Sequence, residues 1–137
     1  MPELRDDVRR LFEGPNYAHV ATVLPDGSPH SVAVWTGIEA GRIVFFTQAG
    51  SRKAQNIGHD PRVAISIVDG GNPYRGGHVR GRVAETIGGD AALEIIDRLA
   101  LKYTGRAFPM RSGIVFFVEP ERVGFRELPF EHRPPAG

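Results

Sequence analysis

The sequence predicts a mainly β domain, a closed or nearly closed antiparallel barrel with a few helices. Six short apolar segments alternate with turn chemistry, which is the pattern of a small all-β architecture. The 17 glycines and 11 prolines are spread among those segments instead of being pooled in one tract. A length of 137 residues suits a single domain with a core of its own.

The elements follow in order. Leu4, Val8, Leu11 and Phe12 share one helical face, and Gly14-Pro15 stops that helix. A strand runs from Tyr17 to Leu24, and Pro25-Asp26-Gly27-Ser28 has hairpin chemistry. A second strand spans His30 to Thr36, with Val32 and Val34 on one side and Ser31, Ala33 and Trp35 on the other. Glu39-Ala40-Gly41 turns the chain into a third strand, Arg42 to Thr47. Ser51 caps a short helix that ends by Gly58, because Asp60-Pro61 forbids its continuation. A fourth strand runs from Arg62 to Val68, Asp69 to Pro73 is a loop, and a fifth strand spans about His78 to Thr86. Ala92, Ile96, Leu99, Ala100 and Tyr103 mark an amphipathic helix. Ile114 to Val118 is the sixth strand, and Val123 to Phe125 extends it beyond a break at Pro120. Tight hairpins between the first three strands imply antiparallel pairing. The expected domain covers residues 1–129, followed by a loose tail over residues 130–137, where Arg133-Pro134-Pro135 lies.

Composition narrows the function classes. Seventeen basic against 16 acidic side chains leave a net charge of +1, too balanced for a general nucleic-acid binder. There is no cysteine, which excludes disulfides, thiolate metal sites and thiol catalysis. The five histidines, at positions 19, 30, 59, 78 and 132, show no ligand spacing, so no metal is expected. The charged stretch Met1 to Phe12 is not a signal peptide, and the longest apolar runs are far too short to span a membrane. A soluble, cytoplasmic protein is expected.

Thr47-Gln48-Ala49-Gly50-Ser51-Arg52-Lys53 is the segment richest in chemistry. A strand ends, a glycine turns the backbone, and a helix starts. The N–H groups and partial positive charge of a helix start favour an anion. Arg52 and Lys53 add full charges there, and Thr47 and Ser51 add hydroxyls. The segment reads equally as a capped surface helix with solvated basic residues. It is not a P-loop, since GxxxxGK[ST] is absent.

Four blocks in order give this segment company: Ala18 to Gly27; Ser28-Pro29-His30-Ser31 leading to Val34-Trp35; Lys53-Ala54-Gln55-Asn56-Ile57 followed by Asp60-Pro61-Arg62-Val63; and Asn72-Pro73-Tyr74-Arg75 followed by Val79-Arg80-Gly81-Arg82-Val83. On these blocks the chain resembles the pyridoxamine-phosphate-oxidase-like split β-barrel superfamily. The likeness spans roughly residues 4 to 126 and is greatest to the branch whose members bind the deazaflavin coenzyme F420. The resemblance implies an FMN-binding-protein-like split barrel of six to seven mostly antiparallel strands. It implies a homodimer with the cofactor at the interface, Lys53 on its phosphate, and Thr47, Gln48, Ala49, Gly50, Ser51 and Arg52 near it. It places the strand carrying Ser31, Val32 and Val34 beside the ring system, and Tyr74 and Arg75 near the cofactor or the partner subunit.

Two departures stand out. Relatives often carry Arg where this chain has Ser51, although Arg52 follows one place later, and Gly76-Gly77 replaces bulkier residues. Trp35 reads as a packing residue. Arg80 and Arg82 read as solvated or as paired with carboxylates across a dimer.

The implied function is an F420-dependent oxidoreductase passing a hydride to a small conjugated substrate, with no catalytic side chain. The alternatives are an FMN-dependent oxidoreductase, or a carrier or sensor that binds F420 or FMN without turnover.

Overall fold

The computed structural model describes residues 4–135. Positions 1–3 of the expected domain and 136–137 of the expected tail lie outside the described residues. The elements are α1 (Asp6–Glu13), β1 (Ala18–Val23), β2 (Pro29–Val34), β3 (Thr36–Glu39), β4 (Arg42–Thr47), α2 (Arg52–His59), β5 (Arg62–Asp69), β6 (Asn72–Ile87), α3 (Gly89–Thr104) and β7 (Ile114–Glu127). All seven strands join one antiparallel sheet in the order β2-β1-β5-β6-β7-β4-β3.

That order makes the barrel. β2 and β3 are the two edges of the sheet, yet only Trp35 separates them in the chain. The sheet must therefore curl until its edges nearly meet at Trp35. The predicted strand from His30 to Thr36 is thus two strands: β2 pairs with β1, and β3 pairs with β4. The switch is held from behind by α3. The Thr36 N–H donates to the Tyr103 hydroxyl (3.1 Å), and that hydroxyl donates to the Asn16 carbonyl (2.6 Å).

Two other expectations change. The loop expected over Asp69 to Pro73 is a tight turn, and β6 starts at Asn72. The Asp69 carboxylate accepts the N–H groups of Gly71 (2.7 Å) and Asn72 (3.2 Å), mimicking a backbone turn. β7 also runs unbroken through Pro120. A register shift beside Gly81 places Pro120 opposite Gly81, where no ladder N–H is needed from it. Only glycine fits at position 81, since a Cβ there would meet the Glu119 carbonyl oxygen at 2.2 Å.

The core has two parts. The inner faces of the barrel bury Val20, Ile43, Phe45, Ile65, Val79, Phe116 and Val118, and α1 plugs this space with Val8, Leu11 and Phe12. Gly77 gives that helix room, facing Leu11 and Val8. The second part lies outside the barrel wall, where α3 sets Ala92, Ile95, Ile96 and Leu99 on Val44, Val115 and Phe117. Lys102 ties α3 to the rest, donating to the carbonyls of Phe12 (2.9 Å) and Thr36. Burial pushes its ammonium down to about 8. Among the described residues, no helix is long and apolar enough to cross a membrane.

Candidate functional site

Lys53 stands in the first turn of α2, and its position follows from how β4 hands the chain to that helix. Gly50 takes φ +82°, a left-handed turn that other residues enter at a cost. Ser51 Oγ accepts the Ala54 N–H (3.1 Å) and so caps the helix. Thr47 Oγ1 donates to the same Ser51 Oγ (3.0 Å), tying the strand end to the helix start. The helix is held to the barrel by buried Asn56, whose Nδ2 donates to Thr22 Oγ1 (3.0 Å), and by Ile57. These contacts aim the first turn. The backbone N–H groups of Arg52 and Lys53 have no intrahelical acceptor, as at any helix start.

Lys53 makes no ion pair or hydrogen bond among the described residues, and it lies half-buried. Partial burial lowers its pKa below the ordinary lysine value, with no carboxylate to offset it. It lines a groove of about 300 Å³ whose other walls are Tyr17, Ala33, Val34, Trp35, Phe46 and Phe108. Four of these are aromatic. Phe46 and Phe108 meet edge to face with centroids 5.1 Å apart, and Trp35 stacks on Tyr103 of α3 at 5.3 Å and 8°. Trp35 therefore both packs and lines the groove. Tyr17 is 60% exposed at the groove's open side. An apolar aromatic slot ending in one desolvated, unpaired ammonium suits a flat ring system with an anionic tail.

The other predicted site residues distribute unevenly. Ser31 lies two positions from Ala33 on the exposed side of β2. Val34 borders the groove while its side chain is buried at 7%, and Val32 packs against the inner core. Arg52 is exposed and makes no ion pair among the described residues. Gln48 is locked to Ser112, donating to its carbonyl and accepting from its hydroxyl, both at 2.8 Å. Gln48 and Ala49 line a separate concavity beside α3 and β7. Tyr74 and Arg75 line no part of the Lys53 groove. Tyr74 packs on Phe130, and Arg75 pairs with Asp69 (3.3 Å) and Glu127 (3.2 Å), which raise its pKa.

Sequence reading did not single out Tyr17, Phe46 or Phe108 as site residues. They come from three separate stretches, so no short motif joins them. Tyr17 precedes β1, Phe46 lies within β4 and Phe108 lies between α3 and β7, so they share no local signal. A larger concavity, about 630 Å³, lies on the outer face of β1, β5 and β6, and it shares no lining residue with the Lys53 groove. Its chemistry is different, and the groove is the better match to a ring with a phosphate. Among the described residues, no group of three or more His, Asp or Glu side chains is arranged to hold a metal ion.

Comparison with known proteins agrees with this architecture. The sequence model of the pyridoxamine 5'-phosphate oxidase family matches residues 4–126. Among solved structures, an F420 reductase is 30% identical, with a TM-score of 0.77 over 88% of this chain and 98% of that one. A conserved hypothetical protein of Mycobacterium tuberculosis is 25% identical, with a TM-score of 0.76 over 99% of this chain and 98% of that one. An FMN-binding, pyridoxamine 5'-phosphate oxidase-related protein of Nostoc punctiforme, at 19% identity, shares the fold, with a TM-score of 0.66 over 90% of this chain and 80% of that one. No curated protein matches the chain. With a split barrel of seven antiparallel strands and a family match over nearly its whole length, the chain belongs to the pyridoxamine 5'-phosphate oxidase family.

Proposed function

We propose that the protein is an F420-dependent oxidoreductase, with the deazaflavin ring against the aromatic groove and the cofactor phosphate on Lys53. The observation that carries this is the unpaired, desolvated Lys53 ammonium at one wall of a slot otherwise apolar. The similarity to an F420 reductase over 98% of that chain supports the choice of cofactor.

When bound, the cofactor supplies the hydride chemistry. The chain's own residues bind, orient and exclude water. Lys53 holds the phosphate with a charge-assisted hydrogen bond, helped by the first-turn N–H groups of α2. Trp35 and Phe46 offer ring faces and edges, and the exposed side of β2 at Ser31 and Ala33 offers backbone and a hydroxyl. Val32 and Val34 contribute main chain, since their side chains turn inward. Lys53 and Tyr17 are the titratable groups among the lining residues. With Tyr17 exposed, solvent reaches the groove and is the proton source in this reading.

A homodimer belongs to the same reading. The groove is small for a cofactor of this size, and exposed Tyr17 leaves one side open. A second copy closes that side and brings its own residues to the ring. Tyr74 and Arg75, absent from the groove of their own chain, reach the site from that partner. A cytoplasmic setting fits a chain without cysteine.

F420 and FMN both carry a phosphate on the ribityl chain for Lys53 to hold, so the cofactor must be tested directly. In side-by-side titrations the protein binds F420 more tightly than FMN, and a conjugated acceptor reoxidises reduced F420 in its presence. Tighter FMN binding overturns the cofactor assignment. Tight F420 binding without reoxidation by any acceptor leaves a carrier instead of an enzyme. Because burial lowers the Lys53 pKa and a phosphate restores the charge, binding weakens as pH rises through that lowered value.

A further inference from the structure

The outer face of the sheet carries arginines that the Lys53 groove does not use. Ser31, Ala21, Ala64, Arg80 and Arg122 stand in one register row across β2, β1, β5, β6 and β7. Three short side chains are followed by two guanidinium groups. Two residues along, Arg62 of β5 faces Arg82 of β6, which in turn faces Glu119 of β7, whereas Arg80 faces Arg122. Like charges directly opposed across a ladder destabilise the sheet.

Some arginines elsewhere are neutralised, while others, Arg52 among them, are not. Arg42 pairs with Glu85, Arg98 with Glu39 and Arg111 with Asp97. Arg62 is also held, by a fork to Asp60 whose shortest contact is 2.7 Å. Arg80, Arg82 and Arg122 have no ion pair and no hydrogen bond among the described residues. Glu121, the nearest acid in sequence, sits in the bulge without a strand partner and forms no ion pair there.

Arg80 and Arg122 also line the concavity of about 630 Å³, along with Arg62, Pro29, Ala21, Ala64 and one acid, Glu121. The short side chains of β1 and β5 leave the floor low, and the arginines form a wall. That volume falls within the range of small-molecule sites. A planar guanidinium presents paired N–H donors that match the two oxygens of a phosphate or carboxylate.

We propose that Arg80 and Arg122 form an oxyanion site for a small molecule carrying two or more phosphate or carboxylate groups, separate from the Lys53 groove. Unpaired arginines at this spacing match a ligand with several negative groups better than a single anion. The ligand also relieves the repulsion between the opposed arginines, so its binding raises thermal stability.

Calorimetric titration of the full chain with inorganic pyrophosphate tests this. Wild-type protein binds it, and raising the salt from roughly 50 mM to 200 mM weakens binding. In a Lys53→Ala background, which removes the phosphate anchor of the cofactor groove, R80Q/R122Q loses about tenfold or more in affinity. The pair R80K/R122K keeps the charge but not the fork, and it also binds more weakly than wild type. The proposal is overturned if wild type shows no binding, or if Lys53→Ala alone abolishes it. It is equally overturned if R80K/R122K binds as tightly as wild type. A change of oligomeric state in R80Q/R122Q by light scattering, with pyrophosphate affinity intact, assigns the arginines to a subunit contact instead.

Discussion

β4 and β7 are apolar on both faces where they pair, whereas β1 and β5 are apolar on one. Ile43 and Phe45 enter the barrel while Val44 and Phe46 point outward, and Phe116 and Val118 alternate with Val115 and Phe117 in the same way. α3 covers that outer side. On β5, Val63, Ile65 and Ile67 are buried, while Arg62, Ala64 and Ser66 are exposed. One half of the wall is sealed by the chain itself. The other half presents small and basic residues to solvent, and it adjoins both concavities that we assign to ligands. A strand's periodicity thus records what covers it.

Substitutions can break or sharpen that contrast. The largest effect belongs to the sealed half. Ile96→Ala empties fully buried volume under α3 and costs about 2–5 kcal/mol by urea unfolding. A loss near zero would mean that α3 is not what seals β4 and β7. The same half holds Lys102, whose folded-state pKa of about 8 lies below its unfolded value of 10.5. Between those values the unfolded chain keeps a proton that the folded chain releases, so stability rises with pH there. Melting curves from pH 7.5 to 10 therefore show wild type gaining on Lys102→Met, and a constant difference contradicts the burial of this amine.

Smaller effects lie away from the seal. Ala40 is held at φ 51° in the β3–β4 turn, beside Gly41 at 76°. Ala40→Asn relieves this left-handed strain and stabilises the fold by about 1 kcal/mol in the same unfolding assay. On the bare half, Ser66→Ala changes stability by less than about 0.5 kcal/mol, because nothing in this chain packs on it. A large loss at Ser66 would show that the face is not bare in solution.

Strand periodicity made much of the fold legible, because alternation and turn residues are local signals. Three places escaped it. The split at Trp35 is set by Tyr103, far along the chain, which takes the Thr36 N–H. The early start of β6 depends on the Asp69 side chain folding back on two N–H groups. The passage of β7 through Pro120 needs Gly81 opposite it. Each is a contact between residues that periodicity treats separately. The site divides likewise. The helix start at Ser51 to Lys53 was legible because strand end, cap and basic residue are adjacent in sequence, and of Thr47, Ser51 and Lys53 it is Lys53 that lines the groove. Tyr17, Phe46 and Phe108 were not legible, since only barrel closure gathers them. Gln48 is spent on Ser112, a partner that sequence spacing does not reveal.

The central claim is that Lys53 holds the cofactor's phosphate at the end of the aromatic groove. Titration of F420 into wild type and Lys53→Ala, with circular dichroism confirming that both fold, tests it most directly. Lys53→Ala weakens binding by about 1.5–3 kcal/mol, the scale of a hydrogen bond to a charged group. Equal affinity for the two proteins would contradict it.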